Sequence, residues 1–172
     1  MNNIIETERL ALREIALNDA SFILTLLNTK GWLQFIGDRN VKTISEAENY
    51  ISDRLIKSYK AHAFGLYVVE LKATDTSIGL CGLIKRDTLE DIDIGFAFLP
   101  EYNGFGYASE AAKSTLQFAF ESLKLKKIVA ITTPDNVSSI RLLEKIGLQF
   151  EKKILFEEKE ELFLFGVSYQ KK

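Results

Sequence analysis

The chain has 172 residues, 47% hydrophobic and 27% charged, with a formal net charge of −2 at pH 7; this suits a single domain over residues 1–172 with one sizeable core. So small a charge argues against a general nucleic-acid binder, whose affinity rests on Lys and Arg neutralising phosphates, and no apolar run approaches the roughly eighteen residues that span a bilayer. The start MNNIIETERL lacks a signal-peptide pattern and the single cysteine cannot close an internal disulfide, so the expected compartment is the cytoplasm and Cys81, within SIGLCGLI, is expected as a core thiol.

In chain order, Glu8 to Ile15 alternates as a first strand with Leu10 and Leu12 on one face. Asn18 or Asp19 then caps a helix with the stripe Ala20, Ile23, Leu24 and Leu27, ending before Gly31. Trp32, Phe35 and Ile36 follow in what reads as an unusually apolar loop, folded over the core or lining an acceptor pocket. Ser45 and Glu48 have the spacing of a capping box and open a second helix through about Lys60. Three strands, Ala63 to Leu71, Ser77 to Lys85 and Leu89 to Leu99, form an antiparallel meander joined by polar turns. Gly79 and Gly82 weaken the middle strand but permit close backbone approach.

The stretch Ile92 to Ser109, IDIGFAFLPEYNGFGYAS, reads as an apolar strand, a break at Pro100, a loop carrying Gly104 and Gly106, and a helix opening near Tyr107. Free N–H groups and the positive dipole end at a helix start attract phosphate, and glycine lets the backbone approach it. The ligand inferred from this is a pyrophosphate. The helix shows the stripe Ala108, Ala111, Ala112, Thr115, Leu116, Ala119, Phe120 and Leu123; Phe118 is its one misfit. Ile128 to Thr132 then closes a βαβ unit, which implies a parallel strand pair. Asn136 or a neighbour caps a short helix carrying Ile140, Leu143 and Ile146, with Gly147 as its stop. Two last strands, Leu148 to Phe156 and Glu161 to Tyr169, form a hairpin whose turn EEKEE is acidic. That run is either a solvated turn or a device for attracting a cationic acceptor.

A GxG loop alone is a weak signal. A Walker loop needs GK followed by Ser or Thr, and a dinucleotide fingerprint needs a third glycine near Ser109 and an acidic residue about twenty positions on; both are missing. The combination of PEYNGFGYASEA with PDNVSSIRLLEKIGL is more specific. With the opening ETERLALREI and the strand end DIGF, it resembles the GNAT superfamily of N-acetyltransferases, and within it the branch of ribosomal-protein N-terminal acetyltransferases. The resemblance covers nearly the whole chain. It implies an α/β (α+β) fold of the GNAT acyl-CoA N-acyltransferase type, with a central, mixed, mostly antiparallel sheet of about seven strands and about four helices. The sequence departs from the family's loop at Glu101, Asn103 and Phe105. Those departures bear on side-chain contacts to the phosphates and leave the backbone cradle untouched.

The resemblance implies attack of a primary amine on the thioester of acetyl-CoA, which moves the acetyl group to that amine, and no metal is expected. The resemblance implies cofactor contacts from the strand residues Phe96, Phe98 and Leu99 along the pantetheine arm, from the loop and helix start Gly104, Phe105, Gly106, Tyr107, Ala108 and Ser109, and from Asn136 at the pantetheine amide. A backbone N–H of that strand would polarise the thioester carbonyl. Gly95 fits a bulge freeing such a group, or close packing. Asn136 also reads as a plain helix cap.

Asp93 stands where the family has a glutamate base and is expected to work through a water; the alternative is a polar residue on a solvated strand face. Ser139 matches the family's serine near the sulfur, where its hydroxyl can hydrogen-bond the leaving thiolate. His62 receives no catalytic role. The acceptor expected is a protein N-terminal α-amine. Two other readings stay open: acetylation of a small amine such as an antibiotic or polyamine, and a cofactor-binding module without turnover. Neither direct nucleic-acid binding nor membrane attachment is expected, and a homodimer is left open.

Overall fold

The computed structural model describes residues 2–171. Eight strands form one sheet in the order β1-β2-β3-β4-β5-β6-β8-β7: β1 Asn3–Glu6, β2 Leu10–Arg13, β3 Leu66–Leu71, β4 Thr76–Ile84, β5 Ile92–Phe98, β6 Lys127–Thr132, β7 Gln149–Phe156 and β8 Glu160–Ser168. Every neighbouring pair is antiparallel except β5 and β6, which run parallel. The first strand was expected to run from Glu8 to Ile15; it is shorter, and β1 precedes it as an additional edge strand.

Side-chain alternation along the strands separates two cores. Tyr67, Val69, Cys81, Leu83, Ile94, Ile128 and Phe165 pack on one face, beneath α5 (Tyr107–Glu121) and α6 (Val137–Lys145). Val68, Leu80 and Leu99 pack on the other with Ile23, Leu26, Leu27, Ala47 and Ile51, from α1 (Ala20–Leu27) and the helical run that follows. Cys81 is a buried free thiol, as its strand context implied. Phe118, the misfit of the α5 stripe, borders a groove shared with Ile4 and Ile5. It is half-buried, with its ring edge-on to Tyr67 at 6.4 Å between centroids, beside β1, a strand the sequence pattern did not suggest.

Two helical details differ from expectation. The apolar segment around Trp32 is a short helix, α2 (Lys30–Phe35), capped by the Thr29 hydroxyl. Trp32 is buried in the second core while Leu33 and Ile36 stay exposed. The next helix is capped by Thr43 with Glu46, two residues earlier than Ser45 with Glu48. Both pairs satisfy the same spacing; Glu46 wins by also accepting the Lys42 N–H at 2.6 Å. This helix, α3 (Ile44–Tyr50), passes through a π-helical segment Ile51–Ile56 into α4 (Lys57–His62).

Gly82 permits the close approach its strand required: a Cβ there would collide with the Gly65 carbonyl. Gly95 makes no bulge, because β4 and β5 keep unbroken register from Gly79↔Phe98 to Ile84↔Asp93. The two edge strands, β1 and β7, each carry a register shift, at Asn3/Ile5 and Phe150/Lys152.

Candidate active site

The site begins where the sheet opens. β5 and β6 pair only at Ile92↔Ile128 and Asp93↔Val129, and pairing stops beyond. The strands are parallel, so the helices that follow them, α5 and α6, both present their N-termini at the opening. Leu99 donates its N–H to Ile78 on β4, and successive residues of a strand hydrogen-bond to opposite sides. The N–H groups of Phe96 and Phe98 therefore face the opening. A splayed pair thus leaves strand N–H groups free without a bulge, and of the two readings of Gly95 close packing is the one that holds, since a Cβ there would meet Ile84 Cδ1 at 3.0 Å. The Phe96 and Phe98 side chains lean on the α5-side core, and Leu99 is buried on the opposite face.

The loop after β5 carries Gly104 at φ 86° and Gly106 at φ 81°, in the left-handed region that favours glycine. Gly106 caps α5, and no side chain takes that helix's first N–H groups. They stay available to an anion. Gly104, Phe105 and Gly106 are exposed; Tyr107, Ala108 and Ser109 are half-buried in the first turn. A Cβ on Gly104 would meet nothing within 4 Å, so there the glycine is required by its dihedral and not by crowding. Backbone N–H groups left free in this way can receive a phosphate group.

At the second helix, the Asn136 side chain accepts the Ser139 N–H at 3.2 Å. Asn136 is thus a helix cap, and Ser139 sits half-buried in the first turn of α6. Thr132 and Thr133, at the end of β6, carry buried hydroxyls without hydrogen-bond partners.

Asp93 lies at the apex of the opening. It is only 2% exposed, which overturns the reading of it as a solvated strand residue. Its Oδ2 accepts from Arg86 Nε at 2.7 Å, while the buried Oδ1 has no partner of good geometry. Burial pushes the carboxyl up to about 6, against the Arg86 guanidinium and a weak pull from the Ile131 N–H. The Arg86 guanidinium also lies 5.7 Å from the Phe156 ring centre. A groove of about 300 Å³ runs beside it between the Thr88–Asp91 turn and β7, floored by Val129 and Leu164.

Arg86 was missed by the sequence reading. The signal was available in the β4–β5 hairpin: once Ile84 opposes Asp93, Arg86 falls within reach. Arg9 was also missed as a functional candidate. Its Nε donates to Glu110 Oε2 at 2.7 Å and its Nη1 to the Phe105 carbonyl at 2.9 Å, and nothing local announces partners about a hundred positions away.

An opened parallel pair with free N–H groups at one helix start and a capped serine at the other is the arrangement expected of an acyl-CoA-dependent transferase. The sequence profile described as an acetyltransferase (GNAT) domain matches residues 9–149. The protein belongs to the GNAT family and is an acetyl-CoA-dependent N-acetyltransferase. It is 31% identical over 147 residues to the uncharacterized N-acetyltransferase YnaD of Bacillus subtilis, covering 86% of this chain and 83% of that one. It is 26% identical over 159 residues to spermidine N(1)-acetyltransferase of Vibrio cholerae, covering 92% and 87%. Among solved structures, the ribosomal-protein-S5-alanine acetyltransferase of Vibrio fischeri superposes with TM-score 0.78 at 22% identity, covering 95% and 94%. Among the described residues no group of three or more His, Cys, Asp or Glu is placed to hold a metal, and no helix is long and apolar enough to cross a membrane.

Proposed function

We propose that the protein, acting as a single cytoplasmic domain, acetylates the N-terminal α-amine of a protein or peptide. Acetyl-CoA, when bound, supplies a thioester carbonyl open to attack by an amine. The loop and helix start from Gly104 to Ser109 hold its pyrophosphate by backbone N–H groups, and the Phe96 or Phe98 N–H polarises the carbonyl. Asp93 takes the proton from the ammonium through a water. Ser139 donates a hydrogen bond to the departing sulfur, and Asn136 keeps that helix turn in place.

The observation that carries the acceptor reading is the state of Asp93. A carboxyl near 6 is ionised at neutral pH yet is a weak base. An α-amine, with a pKa of roughly 7.7 to 8.0, is already about a tenth free base there, whereas a lysine ε-amine at about 10.4 is far below a hundredth. A weak base suits the acceptor that needs less help. The fold likeness to the S5-alanine enzyme agrees with this reading.

Matched peptides test it, one with a free N-terminus and blocked lysine, the other the reverse. Mass spectrometry is expected to find the acetyl group on the α-amine, and enzymatic acetylation mainly on lysine would sink the proposal. The likeness to a spermidine acetyltransferase and the acidic turn at Glu157 and Glu158 favour a polyamine as the second reading. Acetylation of spermidine with neither peptide modified would select it. For the cofactor cradle, Gly106→Val forces a branched side chain into the left-handed region and the phosphate's path. Calorimetry should show acetyl-CoA binding weakened at least about tenfold, the worth of one or two lost hydrogen bonds; parent-like affinity in the folded variant would place the site elsewhere.

A further inference from the structure

We infer that Arg9, in the bend just before β2, is a positioning residue that aims the Gly106 N–H at the cofactor pyrophosphate. The inference rests on the reading of the Gly104–Ser109 loop as the pyrophosphate cradle. Arg9 Nη1 donates to the Phe105 carbonyl at 2.9 Å. That carbonyl and the Gly106 N–H belong to one planar trans peptide and point in opposite directions. Holding the oxygen on the β2 side therefore turns the N–H to the other side, away from Arg9. Glycine at φ 81° has no side chain to fix this peptide plane, so an outside tether is what selects its orientation.

The tether is itself anchored. Arg9 Nε and Nη2 meet Glu110 Oε2 at 2.7 and 2.6 Å, the Arg9 N–H donates to Glu110 Oε1 at 3.1 Å, and the Thr7 hydroxyl donates to the same oxygen at 2.6 Å. The guanidinium lies 4.6 Å from the Tyr107 ring centre. Glu110 is in the first turn of α5, where an unpaired carboxylate would repel phosphate. Although burial opposes it, the bonds from Thr7 and Arg9 hold its carboxyl below the usual range, so it stays ionised and its charge is spent on the tether. The guanidinium fork is needed because it reaches Glu110 and the Phe105 carbonyl at once, which a lysine ammonium cannot do in the same geometry.

Arg9→Met keeps the stem and removes the fork; Arg9→Lys keeps the charge and removes the geometry. Two donors separate the inference from a general loss of structure: acetyl-CoA, and S-acetylpantetheine, which has no pyrophosphate. Calorimetry with CoA should show affinity reduced roughly tenfold in Arg9→Met, the effect of about one charge-assisted hydrogen bond. Recovery in Arg9→Lys should be less than half of that. With the free-N-terminus peptide as acceptor, kcat/KM should fall for acetyl-CoA and be unchanged for S-acetylpantetheine in both variants. Equal losses with the two donors would make Arg9 merely structural, and undiminished CoA affinity would show that the loop needs no tether; either overturns the inference. Should Arg9→Met fail to fold, Arg9→Lys carries the same comparison. Failure of the cradle itself is separable, because it would appear as parent-like CoA affinity in Gly106→Val.

Discussion

Two aspartates in this chain are buried and paired with arginine, and their oxygens are satisfied to different degrees. Asp19 receives Arg13 Nη1 and the Ala16 N–H on Oδ2 and Arg13 Nη2 on Oδ1. Arg13 in turn holds Glu70. Every oxygen of Asp19 is occupied, and its network ties the turn before α1 to β2 and β3. Asp93 is buried more deeply, has one arginine at one oxygen, and leaves the other bare. A fully satisfied buried charge holds structure in place; a half-satisfied one keeps an oxygen free, which the proposed base role of Asp93 requires.

The widest separation between the two should come from Arg13→Ala. It strands the Asp19 charge in the interior and should cost about 3–5 kcal/mol of stability, read by urea unfolding. Turnover per folded molecule should hold at permissive temperature. A loss under 1 kcal/mol would make the network ornamental.

Asp93→Asn should do the reverse. Turnover is expected to fall about a hundredfold, the usual worth of a general base, with stability kept or raised. The sign follows from linkage: a carboxyl raised to about 6 in the fold against 3.8 unfolded binds its proton more tightly when folded. The parent therefore loses stability as pH rises from about 4 to 6, and regains it on acidification. The advantage of Asp93→Asn in unfolding free energy should be greatest above pH 6 and shrink toward pH 4. Full turnover in the variant would remove Asp93 from the chemistry.

The smallest and most selective effect belongs to Arg86→Met. The parent's kcat/KM should rise with pH through an acid limb near 6. Removing the guanidinium, which lowers the Asp93 carboxyl, should move that limb upward by about one unit, or about 1.4 kcal/mol. An unmoved limb would mean that another group titrates.

What could be read from the sequence was local. The loop glycines, the Asn136 cap and the α5 stripe are patterns within a few residues, and each reappears in the structure because backbone dihedrals and helix periodicity are set at that range. The Arg9–Glu110 and Arg86–Asp93 pairs depend on strand order and register, which no short pattern encodes. Asp93 could be placed on a strand, but whether that face met water or protein hung on the neighbouring β6 and the Arg86 turn. α2 was misread because Gly31 sits within it and β1 because it has only four residues. The cap at Thr43 was lost to an overlapping frame with the same spacing.

The register shifts in β1 and β7 bear on the protein's behaviour in crowded solution. An open sheet ends in rows of unpaired peptide groups that can template another strand. Here the pairing of each outer strand shifts register, and Glu151, Lys152 and Lys153 stand exposed beside the shift in β7. Neither border offers a long flat ladder, so stacking of copies into an extended fibril is interrupted at both ends of the sheet.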